Sequence, residues 1–264
     1  MADTVSETID AFHRGRFQIL QPKGRGHRAG MDAMLLASLV ADESACRVAD
    51  LGAGAGAAGM AVASRLKNAQ VTLFEMSPEM ADFAQRSREL PANAEFAPRI
   101  TVRQADVTLR ATARIEAGLL DNHFHHVIMN PPYNDAGDRK TPDALKAAAH
   151  AMTDDLFEHW LRTAAAIMVP GGQLSLIARP QSIADIITAS GRRFGGIEVT
   201  LIHPRDGEDA VRMLLTAIKG SRARLTFRAP LIMHENGSHA FARVVDDLSN
   251  GRVGYLRNDV RERK

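Results

Sequence analysis

The run CRVADLGAGAGAAGMAVASRLKN, Cys46 to Asn68, limits the folds open to this chain more than any other stretch. Strand-forming residues lead straight into Gly52, Gly54 and Gly56, and an alanine-rich segment with helical spacing follows. Strand, glycine turn and helix in that order open a βαβ crossover, the unit from which parallel sheets are built. The same alternation continues downstream. QVTLFE reads as a second strand, and SPEMADFAQRSREL as a helix with Ser77 at its N-cap and Pro78 at its first position. ITVRQAD, HFHHVIM and QLSLIA read as further strands, TDDLFEHWLRTAAAIM as an amphipathic helix capped by Thr153, and SIADIITAS as another helix. IEVTLIH and AVRMLLTAI flank the polar loop PRDGED and are expected to pair antiparallel. The expectation is an α/β fold, a doubly wound, seven-stranded, mostly parallel sheet with an antiparallel terminal hairpin.

A chain of 264 residues, 45% hydrophobic and 24% charged, can bury the core that such a sheet needs. The division expected is a basic N-terminal segment packed on the core (1–44), the core itself (45–220) and a C-terminal extension of the same domain (221–264). One cysteine, Cys46, excludes a disulfide framework and a thiolate-rich zinc site. The first residues carry no apolar signal region, and no apolar run reaches the ~18 residues of a membrane span, so a soluble, cytoplasmic protein is expected. A net charge of +2 says little about partners, but its distribution says more. No acid lies between Asp10 and Asp32, where Arg14, Arg16, Lys23, Arg25 and Arg28 stand. Further basic clusters occupy Lys219, Arg222, Arg224 and Arg228, and then Arg252, Arg257, Arg261, Arg263 and Lys264. Such clusters suit a phosphate backbone, and each alone equally suits a solvated face.

In doubly wound sheets ligands sit beyond the carboxyl ends of the strands, near the point where strand order reverses. Asp50, Gly52, Gly54 and Gly56 form a D-x-G-x-G-x-G loop at one such end. Glycines let a backbone approach a nucleotide, but the pattern is shared with dinucleotide enzymes, and glycine also serves close packing of strand on helix. Glu75, followed by Met76, closes the second strand, where a carboxylate can accept from ribose hydroxyls. Asp106, followed by Val107, ends the third, where it can meet an adenine amino group. Unpaired buried carboxylates are costly, so acids at successive strand ends point to a ligand. With no basic residue in the glycine loop, they describe a pocket for an adenosine lacking a pyrophosphate.

The fourth strand ends in Asn130-Pro131-Pro132-Tyr133. This tetrapeptide, with the glycine loop, Glu75 and Asp106, resembles the signature of S-adenosylmethionine-dependent class I methyltransferases that act on planar amino groups. An amine of that kind, conjugated to a π-system, is a poor nucleophile, and two acceptors against its N–H groups localise the lone pair. By the resemblance Asn130 offers a side-chain oxygen and Pro131 a carbonyl; the prolines fix φ and remove competing donors, and Tyr133 offers a stacking face. The resemblance implies S-adenosyl-L-methionine as cofactor, a Rossmann-like core, and catalytic roles for Asn130, Pro131, Pro132 and Tyr133, with Asn130 also beside the cofactor.

Families sharing this signature methylate adenine, guanine or a protein glutamine. The glutamine enzymes carry a helical domain ahead of the cofactor loop, where only about 45 residues stand here. Upstream, Gly30, Asp32, Leu35 and Leu36 within GRFQILQPKGRGHRAGMDAMLLASLV resemble the bacterial tRNA1(Val) (adenine-37-N6)-methyltransferase family. By that resemblance Gly30 and Asp32 neighbour the cofactor; Asp32 equally suits the N-cap of DAMLLASLV. The implied partner is tRNA, with Arg14, Arg16, Lys23, Arg25, Arg28, Arg139 and Lys140 forming a cationic rim around a splayed-out adenine. Glutamine N5-methylation and a silent RNA-binding module are the alternatives. Met129 stands where a small polar residue often precedes NPP in the family, and the last 45 residues match none of its motifs. His123, His125 and His126 divide between two faces of a strand, and no metal is expected. Trp160 and Phe157 fit the apolar stripe of their helix, and HPRDGED at 203–209 reads as a solvated loop.

Overall fold

Cys46–Leu51 is buried at every position but one, so its strand must be covered on both faces. The computed structural model, which describes residues 6–23, 30–41, 43–132 and 155–258, shows how. The chain begins with β1 (Glu7–Phe12), β2 (Phe17–Pro22) and α1 (Met31–Ser38), then enters the alternating core with β3 (Cys46–Leu51), α2 (Ala57–Arg65), β4 (Ala69–Glu75), α3 (Pro78–Arg88) and β5 (Ile100–Gln104). It continues through α4 (Ala111–Glu116), β6 (Phe124–Met129), α5 (Leu156–Ile167), β7 (Met168–Ala178), α6 (Ile183–Ser190), β8 (Phe194–His203) and β9 (Arg212–Lys219). β10 (Thr226–Phe227), β11 (Leu231–Ile232) and α7 (Arg243–Ser249) complete it.

Across the sheet the order is β10-β8-β9-β7-β6-β3-β4-β5. The pairs β3–β4, β4–β5, β3–β6 and β6–β7 are parallel, and β9 runs antiparallel between β7 and β8. The terminal hairpin expected from IEVTLIH and AVRMLLTAI is β8–β9. The chain leaves β3 toward β4 and β5 and then returns to β6 on the other side, so order reverses between β3 and β6. One apolar layer joins α1, α2 and β2 to one face, and a second joins α5, Leu119 and Ile186 to the other.

Two features depart from the sequence reading. The basic N-terminal segment is a β-hairpin, with Glu7 opposite Pro22 and Phe12 opposite Phe17. It packs through Phe17, Ile19 and Leu20, and the amides of Gln18 and Leu20 donate to Asn93 Oδ1 and Ser87 Oγ, both at 2.9 Å. β7 begins at Met168 and absorbs Pro170–Gly172 through a register shift against β6, instead of starting at Gln173. Ser77 caps α3 as expected, accepting from Met80, whereas Thr153, the expected cap of α5, lies outside the described residues.

The C-terminal extension adds β10 and β11 in tandem to the edge of β8 and seats α7 against α1. Buried Glu198 on β8 faces Arg228 and Arg257, the Arg228 guanidinium lies 4.8 Å from the Tyr255 ring centre, and Tyr255 shares a 2.9 Å hydrogen bond with Thr200. Lys219 donates to Asn122 Oδ1 and to the Met168 carbonyl. Arg252 pairs with Asp246 and Asp247, so four of the basic residues in the C-terminal clusters bind the chain to itself. No helix among the described residues is long and apolar enough to cross a membrane.

Candidate active site

Pairing of Leu51 with Met129 starts the glycine loop and the NPP segment side by side on neighbouring strands, where spacing is about 4.8 Å. Leu51 also pairs with Phe74, one residue short of Glu75, and Glu75 pairs with Gln104, two short of Asp106. Gly52, Glu75, Asp106 and Asn130 therefore form a row along the carboxyl edge of the sheet, astride the reversal of strand order. The sequence predicted this edge; the register supplies the neighbours.

The loop is held from below by the Phe74 carbonyl, which accepts from the amides of Gly52 (2.8 Å) and Ala53 (3.0 Å). Glu75 reaches back over it. Its Oε2 accepts from Gly54 N–H and its Oε1 from Ser77 N–H, each at 2.8 Å. Gly54, at φ +56°, has only the terminal methyl of Met80 near the place of a Cβ, at 3.9 Å, so its backbone is bare toward open space. Of the three loop glycines it leaves the most room for a ligand to approach. Gly56 and Gly52 are closely packed: a Cβ on Gly56 would meet Leu73 at 2.8 Å, and one on Gly52 would meet the Trp160 ring at 2.5 Å.

Asp50 lies under the loop, 2% exposed, with Oδ2 accepting from Gly59 N–H at 2.8 Å. Burial pushes its carboxyl up to about 7; the Gly59 amide works against that rise and the Glu75 charge adds to it. Asp106 is half-buried, accepting from Thr108 N–H at 2.7 Å, and its second oxygen has no hydrogen bond among the described residues. Val107 is core, its carbonyl held by Thr163 Oγ1 at 2.6 Å, while Met76 projects at the lip with 56% exposure. Pro131 is buried, Asn130 and Pro132 are half-buried, and Tyr133 lies outside the described residues.

Gly30, not Asp32, is the N-cap of α1. Asp32 accepts from Arg212 Nε at 2.8 Å, fixing α1 to the start of β9 at the same end of the sheet as the row. Arg212 had no sequence signal, being one arginine before an apolar strand. Gly59 did have one, since glycine inside a helix costs about 1 kcal/mol against alanine and so implies close approach. Trp160 joins the loop as well as the core, 4% exposed and with its indole N–H unpartnered among the described residues.

Of the predicted cationic rim, the described residues Arg14, Arg16 and Lys23 do not gather at one place. Arg14 donates to Asp246 Oδ2 at 2.9 Å, and with Arg16 it sits at the turn of the β1–β2 hairpin. His13 in that turn packs under Gly251 and feels the charge of Arg65, which closes α2. That end of α2 lies nine residues, about 13 Å, from the end that follows the glycine loop. Lys23 is exposed at the other end of the hairpin, and Arg25, Arg28, Arg139 and Lys140 lie outside the described residues. His125 accepts from the Arg47 amide at 3.0 Å, and among the described residues no three metal-ligating side chains cluster.

The residues along the edge fit S-adenosyl-L-methionine: a bare backbone at Gly54, a carboxylate on the loop at Glu75, an open acceptor at Asp106, and no cation in the loop to meet a pyrophosphate. Comparison with known proteins agrees. The family model described as the methyltransferase small domain matches residues 28–200. A tRNA1(Val) (adenine(37)-N6)-methyltransferase of Pedobacter heparinus is 27% identical over 208 residues, 78% of this chain and 83% of its own. The crystal structure of a predicted O-methyltransferase from Agrobacterium tumefaciens is 70% identical, covers 86% of this chain and 99% of its own, and superposes with a TM-score of 0.76. A Thermus thermophilus 16S rRNA N2 G1207 methyltransferase, solved with AdoMet and guanosine, shares the fold at 19% identity, with 83% of this chain and 52% of its own covered and a TM-score of 0.57. The glycine loop, the strand-end acids and the match across most of their span make this chain a member of the methyltransferase small domain family, with S-adenosyl-L-methionine as its cofactor.

Proposed function

We propose that the protein is an N6-adenine methyltransferase acting on RNA, in particular on adenine 37 of a tRNA anticodon loop in the cytoplasm. The observation that carries the reading is the pairing of Leu51 with Met129, which sets Asn130 and Pro131 against the glycine loop. Support for the substrate comes from curated relatives such as that of Pedobacter heparinus, named for that base.

In this reading Gly54, Glu75 and Asp106 hold the cofactor, with Asp50 supporting the loop. S-adenosyl-L-methionine supplies, when bound, a sulfonium methyl group open to nucleophilic attack. The Asn130 side-chain oxygen and the Pro131 carbonyl accept the two N–H groups of the target amine, and Tyr133 stacks on its ring. Localising the lone pair requires two acceptors fixed in advance, and a proline-locked backbone provides them without reorganisation. The transferred methyl leaves a cationic nitrogen whose proton passes to water. Lys23, with Arg25, Arg28, Arg139 and Lys140, supplies cations for the RNA backbone.

Asn130→Ala is expected to lower methyl transfer to unmodified tRNA by about a hundredfold, the effect of losing one preorganised hydrogen-bond partner, with cofactor affinity by calorimetry unchanged. Retained transfer sinks the mechanism. Nucleoside mass spectrometry on RNA from a deletion strain is expected to lose N6-methyladenosine. The name carried by the Agrobacterium tumefaciens protein favours oxygen as acceptor, and loss of a ribose-methylated nucleoside instead would replace the present reading with that one. Methyl incorporation into release-factor glutamine would replace it with the protein-substrate reading.

A further inference from the structure

On the face of the sheet opposite the N-terminal hairpin, α4 and α5 border an open pocket of about 180 Å³ lined by Leu109, Arg110, Arg114, Arg162 and Thr163. Arg114 is committed, donating to the Leu119 carbonyl and pairing with Asp121 at 2.5 Å. Arg110 and Arg162 have no carboxylate within ion-pair distance among the described residues. Arg110 meets only His159 Nε2, at 3.4 Å, and Arg162 donates to the Thr108 carbonyl at 3.3 Å. The nearby acid, Glu158, is engaged on both oxygens by Arg193 at 2.9 and 2.5 Å. Burial and the charge of Arg110 depress the Arg162 guanidinium. Arg110 is exposed and Arg162 half-buried, so the two like charges stand side by side at the mouth of the hollow and give it a positive potential that suits an anion. At the pocket's lip Ala111 holds φ +47°, a left-handed conformation unfavourable to a side chain and often found beside functional sites.

The pocket adjoins the active edge. Arg110 is four residues from Asp106, at most about 14 Å of extended chain. α5, which carries Arg162, also carries Trp160 against Gly52 and Thr163 against the Val107 carbonyl.

We propose that Arg110 and Arg162 form a phosphate-binding subsite that grips the RNA backbone flanking the target base; this rests on the RNA reading above. The site lies across the sheet from the hairpin, so an RNA loop presented to the active edge is held from the α4–α5 side rather than from the arginines at the hairpin turn.

The test is titration of a labelled RNA stem-loop with an adenine-bearing loop, read by fluorescence anisotropy at several salt concentrations, with cofactor affinity followed by calorimetry. Arg110→Ala combined with Arg162→Gln is expected to weaken RNA binding about tenfold and to flatten the salt dependence by about 0.7 for each phosphate that the variant no longer neutralises. Cofactor affinity stays unchanged, and Arg110→Lys retains most of the RNA affinity. Arg243→Ala, which removes one charge from the far face, is expected to do nothing. If the wild type binds RNA and the double variant binds it equally well, the subsite is wrong and the RNA reading stands. Equal weakening by Arg243→Ala reduces the effect to net charge and also overturns the subsite. Should the wild type bind no RNA, both fall. Because Arg162 also holds the Thr108 carbonyl, Arg110→Ala alone provides the second measurement if the double variant fails to fold.

Discussion

Gly52 and Trp160 are 108 positions apart, yet neither side chain can be chosen without the other. At φ +69° the backbone of Gly52 disfavours any Cβ, and the ring of Trp160 fills the place where one would stand. Composition and spacing identify Gly52 as a turn residue and Trp160 as core; what they omit is that the two meet, because they approach each other across the sheet and leave no local trace of it in the sequence. Gly52→Ala is expected to cost about 1 kcal/mol for backbone strain and more for the displaced indole, and to weaken cofactor binding through the shifted loop. Trp160→Leu removes the steric part. A double-mutant cycle by denaturant unfolding is therefore expected to give a coupling of about 1 kcal/mol or more, with the double variant less damaged than the sum of the singles. Simple additivity would show that the ring and the turn are independent.

Elements built from local periodicity were legible: the alternation of strands and helices, the β8–β9 hairpin, and the cap of α3 all follow from patterns within a dozen residues. The β1–β2 hairpin and the two-residue strands β10 and β11 were not, since their pairing is decided by an exposed sheet edge and a helix face that accept them. Besides its backbone pairing, the C-terminal strip is tied to β8 by Glu198. Its carboxylate is 7% exposed and faces two guanidinium groups, so removing it strands their charges in a desolvated place. Glu198→Ala is expected to destabilise the protein by about 3–5 kcal/mol, the range for breaking a buried ion pair on one side. Glu198→Gln, which keeps an acceptor, is expected to cost less. Hydrogen exchange should show amides of residues 226–232 losing protection first, and undisturbed protection there would place the anchor elsewhere.

Across the whole molecule, two buried titratable groups stand at opposite ends of α2 and drive stability in opposite directions. Asp50, beneath the glycine loop, titrates near 7 in the folded state against 3.8 when unfolded, because burial disfavours its charge. The folded form therefore binds the extra proton, and the stability this gives is complete below pH 3.8 and lost as pH rises toward 7. His13, at the hairpin turn, titrates near 4 against 6.5, because burial, and then Arg65 and Arg16, disfavour its cation. Here the unfolded chain binds the proton, so stability is complete above pH 6.5 and lost as pH falls toward 4. Over the window from 4 to 6.5 the slopes oppose each other and largely cancel. Removing one group exposes the other. Asp50→Asn keeps the shape and an acceptor for Gly59 N–H, and its stability minus that of the wild type is expected to rise steadily with pH from about 4 to 7. His13→Asn, a residue that tolerates the positive φ of that turn, is expected to give a difference that falls with pH from about 4 to 6.5. Urea unfolding at half-unit pH steps reads both differences. A flat or falling curve for Asp50→Asn would mean that the carboxyl under the cofactor loop is ionised throughout, and that the loop rests on a charge rather than on a neutral acid.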